Sequence, residues 1–207
     1  MTVVGIVPAG GSGERLGADR PKAFVVCAGR PMVEWSVEAL KPSCTRIVVA
    51  APPSHVRPGW VEGGASRSAS VRNALDAAPE ATVVVVHDAA RPLVTAGLVR
   101  ECLAALEGVD GAIAASPASD TIHVSASDRL IRETPDRSAL WAAQTPQVFR
   151  ADILRRALAG GDSATDEAAL VAAVGGRVRL IEGPSDNIKV TTRTDLRLAE
   201  ALLRERC

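Results

Sequence analysis

The chain carries no net formal charge, because 24 lysines and arginines are balanced by 24 aspartates and glutamates. It also lacks any lysine-rich run, so the electrostatic footprint of a nucleic-acid-binding protein is missing. No apolar stretch approaches the length needed to cross a bilayer. No basic-then-apolar segment precedes Val3, and export is not expected. The four cysteines, Cys27, Cys44, Cys102 and Cys207, stand isolated, with neither a C-x-x-C pair nor a Cys/His spacing. That pattern supports neither a zinc site nor a disulfide framework. Internal repeats and low-complexity tracts are also absent. These absences leave a soluble, reduced, cytoplasmic protein, with neither nucleic acid nor membrane as its partner. Its 207 residues suffice for one α/β domain with a sizeable core.

What is present is densest near the N-terminus. Val3–Val7 reads as a buried strand that stops at Pro8, and Ala9 leads into Gly10, Gly11 and Gly13. Glycines so spaced permit backbone conformations and close approaches that a Cβ would block. Such a turn can aim several N–H groups at one point and so bind an anion. Arg15 and Lys22 add two cations just beyond it, and the combination suits a polyphosphate. The dinucleotide fingerprint G-x-G-x-x-G fails, because Gly11-x-Gly13 is followed three residues later by Leu16. The P-loop pattern fails as well, since no glycine precedes a Lys-Ser or Lys-Thr pair. What stands instead is P-A-G-G-S-G-E-R-L-G followed by R-P-K. This resembles the signature loop of the sugar-nucleotide and polyol-phosphate nucleotidyltransferases.

Strand-like and helix-like segments alternate nearly throughout, which predicts a parallel sheet covered on both faces. Helices are expected from Pro31 to Leu40, from a Ser66 cap toward Pro79, and from Thr95 through Leu106. Further helices are expected over Asp152–Leu158, after Thr165-Asp166-Glu167, and over Asp195–Leu203. Ile47–Ala50, Val83–Val86, Gly111–Ala115 and Val178–Ile181 read as strands, with Val83–Val86 the most central. The alternation breaks between Ser116 and Trp141. There Thr121–Ser125 and Leu130–Thr134 flank a turn at Ala126–Arg129 and form a hairpin. A lone hairpin is marginal in water, so it must pack on its own domain or on a partner chain.

Four more segments carry candidate chemistry. Gly63-Gly64-Ala65-Ser66 precedes a helix start with free N–H donors, and Ser70 can turn its hydroxyl to the same place, but on this segment alone a plain loop and N-cap is the favoured explanation. His87-Asp88-Ala89-Ala90-Arg91 follows the most buried strand, at the carboxyl end where ligands collect in open α/β sheets. Asp88 there suits ribose hydroxyls or a phosphate-bound Mg²⁺, and Arg91 suits a phosphate, unless the two merely pair with each other. His87 reads as structural. Lys189, between Ile188 and Val190, is either an edge-strand charge or a phosphate ligand, and Arg137 is equally open. Thr165-Asp166-Glu167 is sufficiently explained as a helix cap.

Taken in order, P-A-G-G-S-G-E-R-x-G…P-K, G-G-A-S-R-x-x-S-V, V-H-D-A-A-R-P, D-T, W-A-A-Q-T-P-Q, T-D-E-A and D-N-I-K-V-T span nearly the whole chain. That series resembles the 2-C-methyl-D-erythritol 4-phosphate cytidylyltransferases of the non-mevalonate isoprenoid pathway. The resemblance implies a Rossmann-like, mostly parallel sheet with a protruding hairpin arm at about 116–138, all within one cytidylyltransferase domain, 1–207. It implies CTP and methylerythritol phosphate as substrates, Mg²⁺ as cofactor, and a homodimer joined through the arm. Pro8, Ala9, Gly10, Gly11, Gly13, Gly64, Ala65, Ser70, Asp88 and Ala89 then hold CTP. Arg15 and Lys22 match positions that stabilise triphosphate charge in the transition state. Arg137 and Lys189 match those that place the acceptor phosphate, with Arg91, Thr121, Thr145 and Thr165 lining its pocket. Thr121 and Arg137 would complete the neighbouring subunit's site. The metal is held by Asp88 or by the CTP phosphates alone. The rival readings are a cytidylyltransferase for another polyol phosphate, such as ribitol 5-phosphate, and a nucleotide-binding regulator without catalysis.

Overall fold

The computed structural model describes residues 1–160 and 166–206. In chain order its elements begin β1 (Val3–Pro8), β2 (Val26–Cys27), β3 (Arg30–Pro31), α1 (Met32–Leu40), β4 (Arg46–Ala51) and β5 (Val61–Glu62). There follow α2 (Arg67–Asp76), β6 (Val83–Val86), α3 (Ala96–Ala104), β7 (Gly111–Pro117), β8 (Val124–Ser125) and β9 (Ile131–Glu133). The chain continues with β10 (Trp141–Arg150), α4 (Ala151–Ala159), α5 (Glu167–Ala173), β11 (Val178–Glu182) and α6 (Arg193–Glu205). One seven-stranded sheet has the order β11-β7-β10-β6-β1-β4-β5. The all-valine β6 sits in its middle, buried along its whole length.

Period-two alternation in the strands divides the core. Val4, Ile6, Val84 and Val86 pack with Val71 and Leu75 of α2, Leu154 of α4 and Val171 of α5. Val3, Val7, Val83 and Val85 face the other way, onto Val33 and Leu40 of α1 and Leu98, Val99 and Cys102 of α3. Helices thus cover both faces, as runs apolar on both sides demand. Expected caps form: the side chains of Ser66, Thr95 and Asp166 accept from the N–H groups of Ala69, Leu98 and Ala169. Among the described residues no helix is long and apolar enough to cross a membrane.

The sheet is mostly parallel, as the resemblance implied, and the exception is β10, which runs antiparallel to both β6 and β7. That strand was not expected, since Pro146 interrupts the segment and an interior proline argues against a central strand. The ladder with β7 accommodates it through a register shift between Ala143 and Gln147. Residues 144–146 thereby leave the ladder with β7 and become available to the loop after β6. Asp186–Thr191, in turn, is not a strand but an irregular connection into α6.

A third apolar cluster joins Leu16, just past the glycine loop, to Met32, Leu93, Val190 and Leu203. Through it α6 fixes Val190, whose N–H donates to Ala90 O at 2.8 Å, and so brings the neighbouring Lys189 beside the loop after β6. The β8–β9 hairpin is different. Its apolar side chains Ile122, Val124, Leu130 and Ile131 are exposed to solvent.

Candidate active site

The glycine loop begins where Ala9 donates its N–H to Ala50 O at 2.8 Å, continuing the β1–β4 ladder by one residue. Gly13 follows in the left-handed region, with φ at 82°, and caps a short 3-10 turn over Glu14–Leu16. Lys22 N–H donates to Gly11 O at 2.9 Å, which folds the Arg20-Pro21-Lys22 segment back over the loop. The N–H groups of Gly10, Gly11, Ser12 and Gly13 have no partner among the described residues. Four unpaired donors in one turn make an anion-binding concavity.

A cleft of about 240 Å³ opens here, lined by Pro8, Ala9, Gly10, Gly11, Lys22, Gly64, Ala65, Arg67, Ser70, Asp88, Ala89 and Lys189 among others. Beside it a second cleft is lined by Arg67, Asp88, Arg91, Ala143, Gln144, Thr145, Gln147, Asp166 and Lys189. Arg67, Asp88 and Lys189 belong to both and form the ridge between them. A third cleft continues outward along Gly11, Ser12, Gly13, Glu14, Arg15, Lys22 and Thr191. Lys22 therefore stands where the first and third meet, while Arg15 is exposed at the outer one.

Asp88 anchors the ridge. Its Oδ1 accepts from Arg67 Nε at 2.9 Å and its Oδ2 from Lys189 Nζ at 2.7 Å. Burial raises its pKa, but the charges of Arg67 and Lys189 outweigh this and hold the carboxyl well below its ordinary range. Burial and the charge of Lys189, with a further contribution from Arg15, push Lys22 below the usual lysine value, against the pull of Asp88. Cations that repel one another so closely suit an anion between them. Asp88 N–H donates to Thr145 Oγ1 at 3.1 Å, and Thr145 Oγ1 lies 3.0 Å from His87 Nδ1. With His87 Nε2 3.2 Å from Arg91 O, which can only accept, Nε2 carries a proton. Burial pushes the ring to about 4 and so keeps it neutral, and its polar contacts, to Thr145 and Arg91 O, are in keeping with a structural role.

Most site residues expected from the sequence therefore meet. Gly13 and Arg15 line the outer cleft, and Arg91 and Thr145 the second. Arg91 does not pair with Asp88; it donates to Asn187 O at 2.6 Å and Ala143 O at 3.3 Å. The Thr145 hydroxyl is likewise engaged by Asp88 and His87. Lys189 is no edge-strand charge but turns in to Asp88. Thr121 and Arg137 stay on the exposed arm and line none of these clefts; Arg137 Nη1 donates to Ser119 O at 3.1 Å. Thr165 lies outside the described residues.

A family model described as 2-C-methyl-D-erythritol 4-phosphate cytidylyltransferase matches residues 3–205. The chain belongs to that family. A cytidylyltransferase of this name from Frankia casuarinae is 48% identical over 216 residues, covering 97% of this chain and 81% of the relative. One from Synechococcus elongatus is 40% identical over 222 residues, covering 97% and 96%. The crystal structure of the Thermus thermophilus cytidylyltransferase superposes with a TM-score of 0.84 at 39% identity, covering 99% of this chain and all of that one.

Two residues of this cytidylyltransferase fold escaped the reading of the sequence. Arg67 pairs with both Asp88 and the fully buried Glu167. A signal did exist for Arg67, because a cation in the first turn of α2 opposes the helix dipole and needs another reason to be there. Glu167 gave none, since an acid in a first turn is expected. Gly64 has a steric role: a Cβ there would overlap Ala69 Cβ and stand 2.8 Å from the Ala69 carbonyl carbon. Its N–H also donates to Ser70 Oγ at 3.0 Å. Gly64→Ala is expected to push this loop off α2 and raise KM for CTP about tenfold, the loss of one good contact. Steady-state kinetics with CTP varied checks this, and an unchanged KM would detach Gly64 from the nucleotide.

Proposed function

We propose that this chain transfers CMP from CTP to 2-C-methyl-D-erythritol 4-phosphate, forming 4-diphosphocytidyl-2-C-methyl-D-erythritol and releasing pyrophosphate. The observation that carries the reading is the pairing of Arg67 and Lys189 with Asp88 on the ridge where the glycine-loop cleft meets the second cleft, with Lys22 where the first cleft meets the outer one. CTP takes the first cleft, against Pro8, Ala9, Gly10, Gly11, Gly64, Ala65, Ser70, Asp88 and Ala89, with its phosphates running past Gly13 toward Arg15. The acceptor phosphate takes the second, toward Lys189, Arg91 and Thr145.

The acceptor is a phosphate monoester with a charge of about −1.5 to −2 at pH 7, so it is a nucleophile without a general base. One of its oxygens bonds to the α-phosphorus of CTP as the bond to the β-bridging oxygen breaks, and pyrophosphate leaves with that electron pair. The obstacle is repulsion between two anions. Fixed cations and positioning therefore provide most of the catalysis. This accounts for a ridge on which Asp88 is flanked by the two cations Arg67 and Lys189.

Mg²⁺ fits as an ion carried by the nucleotide. It binds through one or two carboxylates plus substrate phosphates, and among the described residues no group of three or more His, Cys, Asp or Glu could cage a metal. Asp88 is the carboxylate on the ridge that would hold it, although both its oxygens already accept from cations. When bound, the ion adds positive charge to the triphosphate. The arm supports a homodimer: exposed apolar side chains on a two-stranded hairpin need a second surface. An isologous pairing would carry Thr121 and Arg137 to the neighbouring acceptor cleft. A cytoplasmic location accords with the isoprenoid pathway of the family.

Pyrophosphate release is the test. It is expected to require both CTP and methylerythritol phosphate and to be far slower with ribitol 5-phosphate. Equal or faster turnover of ribitol 5-phosphate would assign the chain to that acceptor. CTP binding without turnover of either would make it a nucleotide-binding regulator.

A further inference from the structure

Glu167 is fully buried, yet only one of its oxygens is paired: Oε2 accepts from Arg67 Nη1, while Oε1 has no partner among the described residues. A half-satisfied buried carboxylate costs stability, so its retention calls for a role. The role lies in what Arg67 is prevented from doing. Arg67 donates to Asp88 through Nε alone, and its Nη2 has no partner among the described residues. Nε and Nη2 point the same way from a guanidinium and form its side-on fork, the arrangement that grips both oxygens of a carboxylate. Here the second oxygen, Asp88 Oδ2, is held by Lys189 instead, at 2.7 Å.

We propose that Glu167 is a positioning residue which, by drawing on Arg67 Nη1, keeps the arginine from closing its fork on Asp88 and so reserves Asp88 Oδ2 for Lys189. Lys189 then stays on the ridge between the two clefts, where the acceptor phosphate must be received. Without the charge of Glu167, Arg67 swings onto Asp88 through both Nε and Nη2, and Lys189 is displaced. The consequence for turnover rests on the functional reading above, but the rearrangement itself does not.

Glu167→Gln removes the charge at nearly constant shape. Its KM for methylerythritol phosphate is expected to rise about tenfold, the loss of one charge-assisted hydrogen bond. The KM for CTP should stay within about twofold, since the glycine cradle is untouched. Parental KM values for both substrates would overturn the proposal. So would a fall in kcat alone that follows a lower Tm, which is what a merely structural role predicts. A lysine cannot close a fork, so in an Arg67→Lys background the same Glu167→Gln change should leave the acceptor KM where Arg67→Lys alone puts it. Multiplied effects would place Glu167 outside this chain of contacts. A substrate-free crystal structure of the Glu167→Gln protein reads the rearrangement without any assay. Arg67 on both oxygens of Asp88 supports the clamp, and Lys189 still on Oδ2 refutes it. If the parent protein turned over neither substrate, the functional reading would fail while that crystal structure still decided the clamp.

Discussion

Lys22→Ala is expected to lower kcat by about 10²–10³, the cost of losing one preorganised transition-state donor. Lys22 borders both the glycine-loop cleft and the outer cleft along Arg15, which is the path proposed above from α-phosphate to leaving pyrophosphate. Its side chain is half-buried, and burial, followed by the charges of Lys189 and Arg15, holds its pKa down. Such a group gains most when negative charge develops beside it, so the loss should appear in kcat far more than in KM for CTP. Arg15 is exposed at the outer cleft, where water screens its charge, and Arg15→Ala is expected to cost less. Steady-state kinetics with both substrates varied separates the two. A Lys22→Ala protein turning over at the parental rate would remove the central cation from the mechanism.

Arg137→Ala is expected to impair use of methylerythritol phosphate by a comparable factor of about 10², while leaving CTP binding unaltered. Within its own chain Arg137 lies in an exposed turn capped by Asp136 Oδ1, which accepts from Ser138 N at 2.9 Å. It borders none of the clefts of its own chain, so under the proposed homodimer its effect is exerted on the neighbouring subunit. That makes the prediction sharper. Mixing the Arg137→Ala and Lys22→Ala proteins and allowing subunits to exchange should restore about one quarter of parental activity, because half the dimers are mixed and each has one intact site. Two inactive variants that stay inactive after exchange would rule out a shared site.

The glycine loop shows how much was legible in the chain itself. Conformations open to glycine, a strand ending at Pro8 and cations at 15 and 22 are local facts, and the loop folds as they require. The same holds for the caps at Ser66, Thr95 and Asp166, and for the valines of β6, apolar on both faces and so central. In contrast, β10 was hidden because a proline within a strand is acceptable only where a register shift releases it, and that depends on the two strands alongside. Lys189 was undecided for a similar reason. Its direction is set by Val190 packing into a cluster built from α6 and the glycine loop, not by its own neighbours in sequence.

The residue order alone determined the family, the alternation of strand and helix, and the glycine turn after β1, because propensity, periodicity and motif act over a few neighbouring positions. Only the folded chain decided the charge pairing on the ridge. Asp88 joins Arg67 and Lys189, which lie 21 residues before it and 101 after it, while Arg91 close by turns to backbone carbonyls. Electrostatic partners are chosen by distance in space and by the cost of burying an unpaired charge, and neither quantity exists until the sheet has brought its loops together.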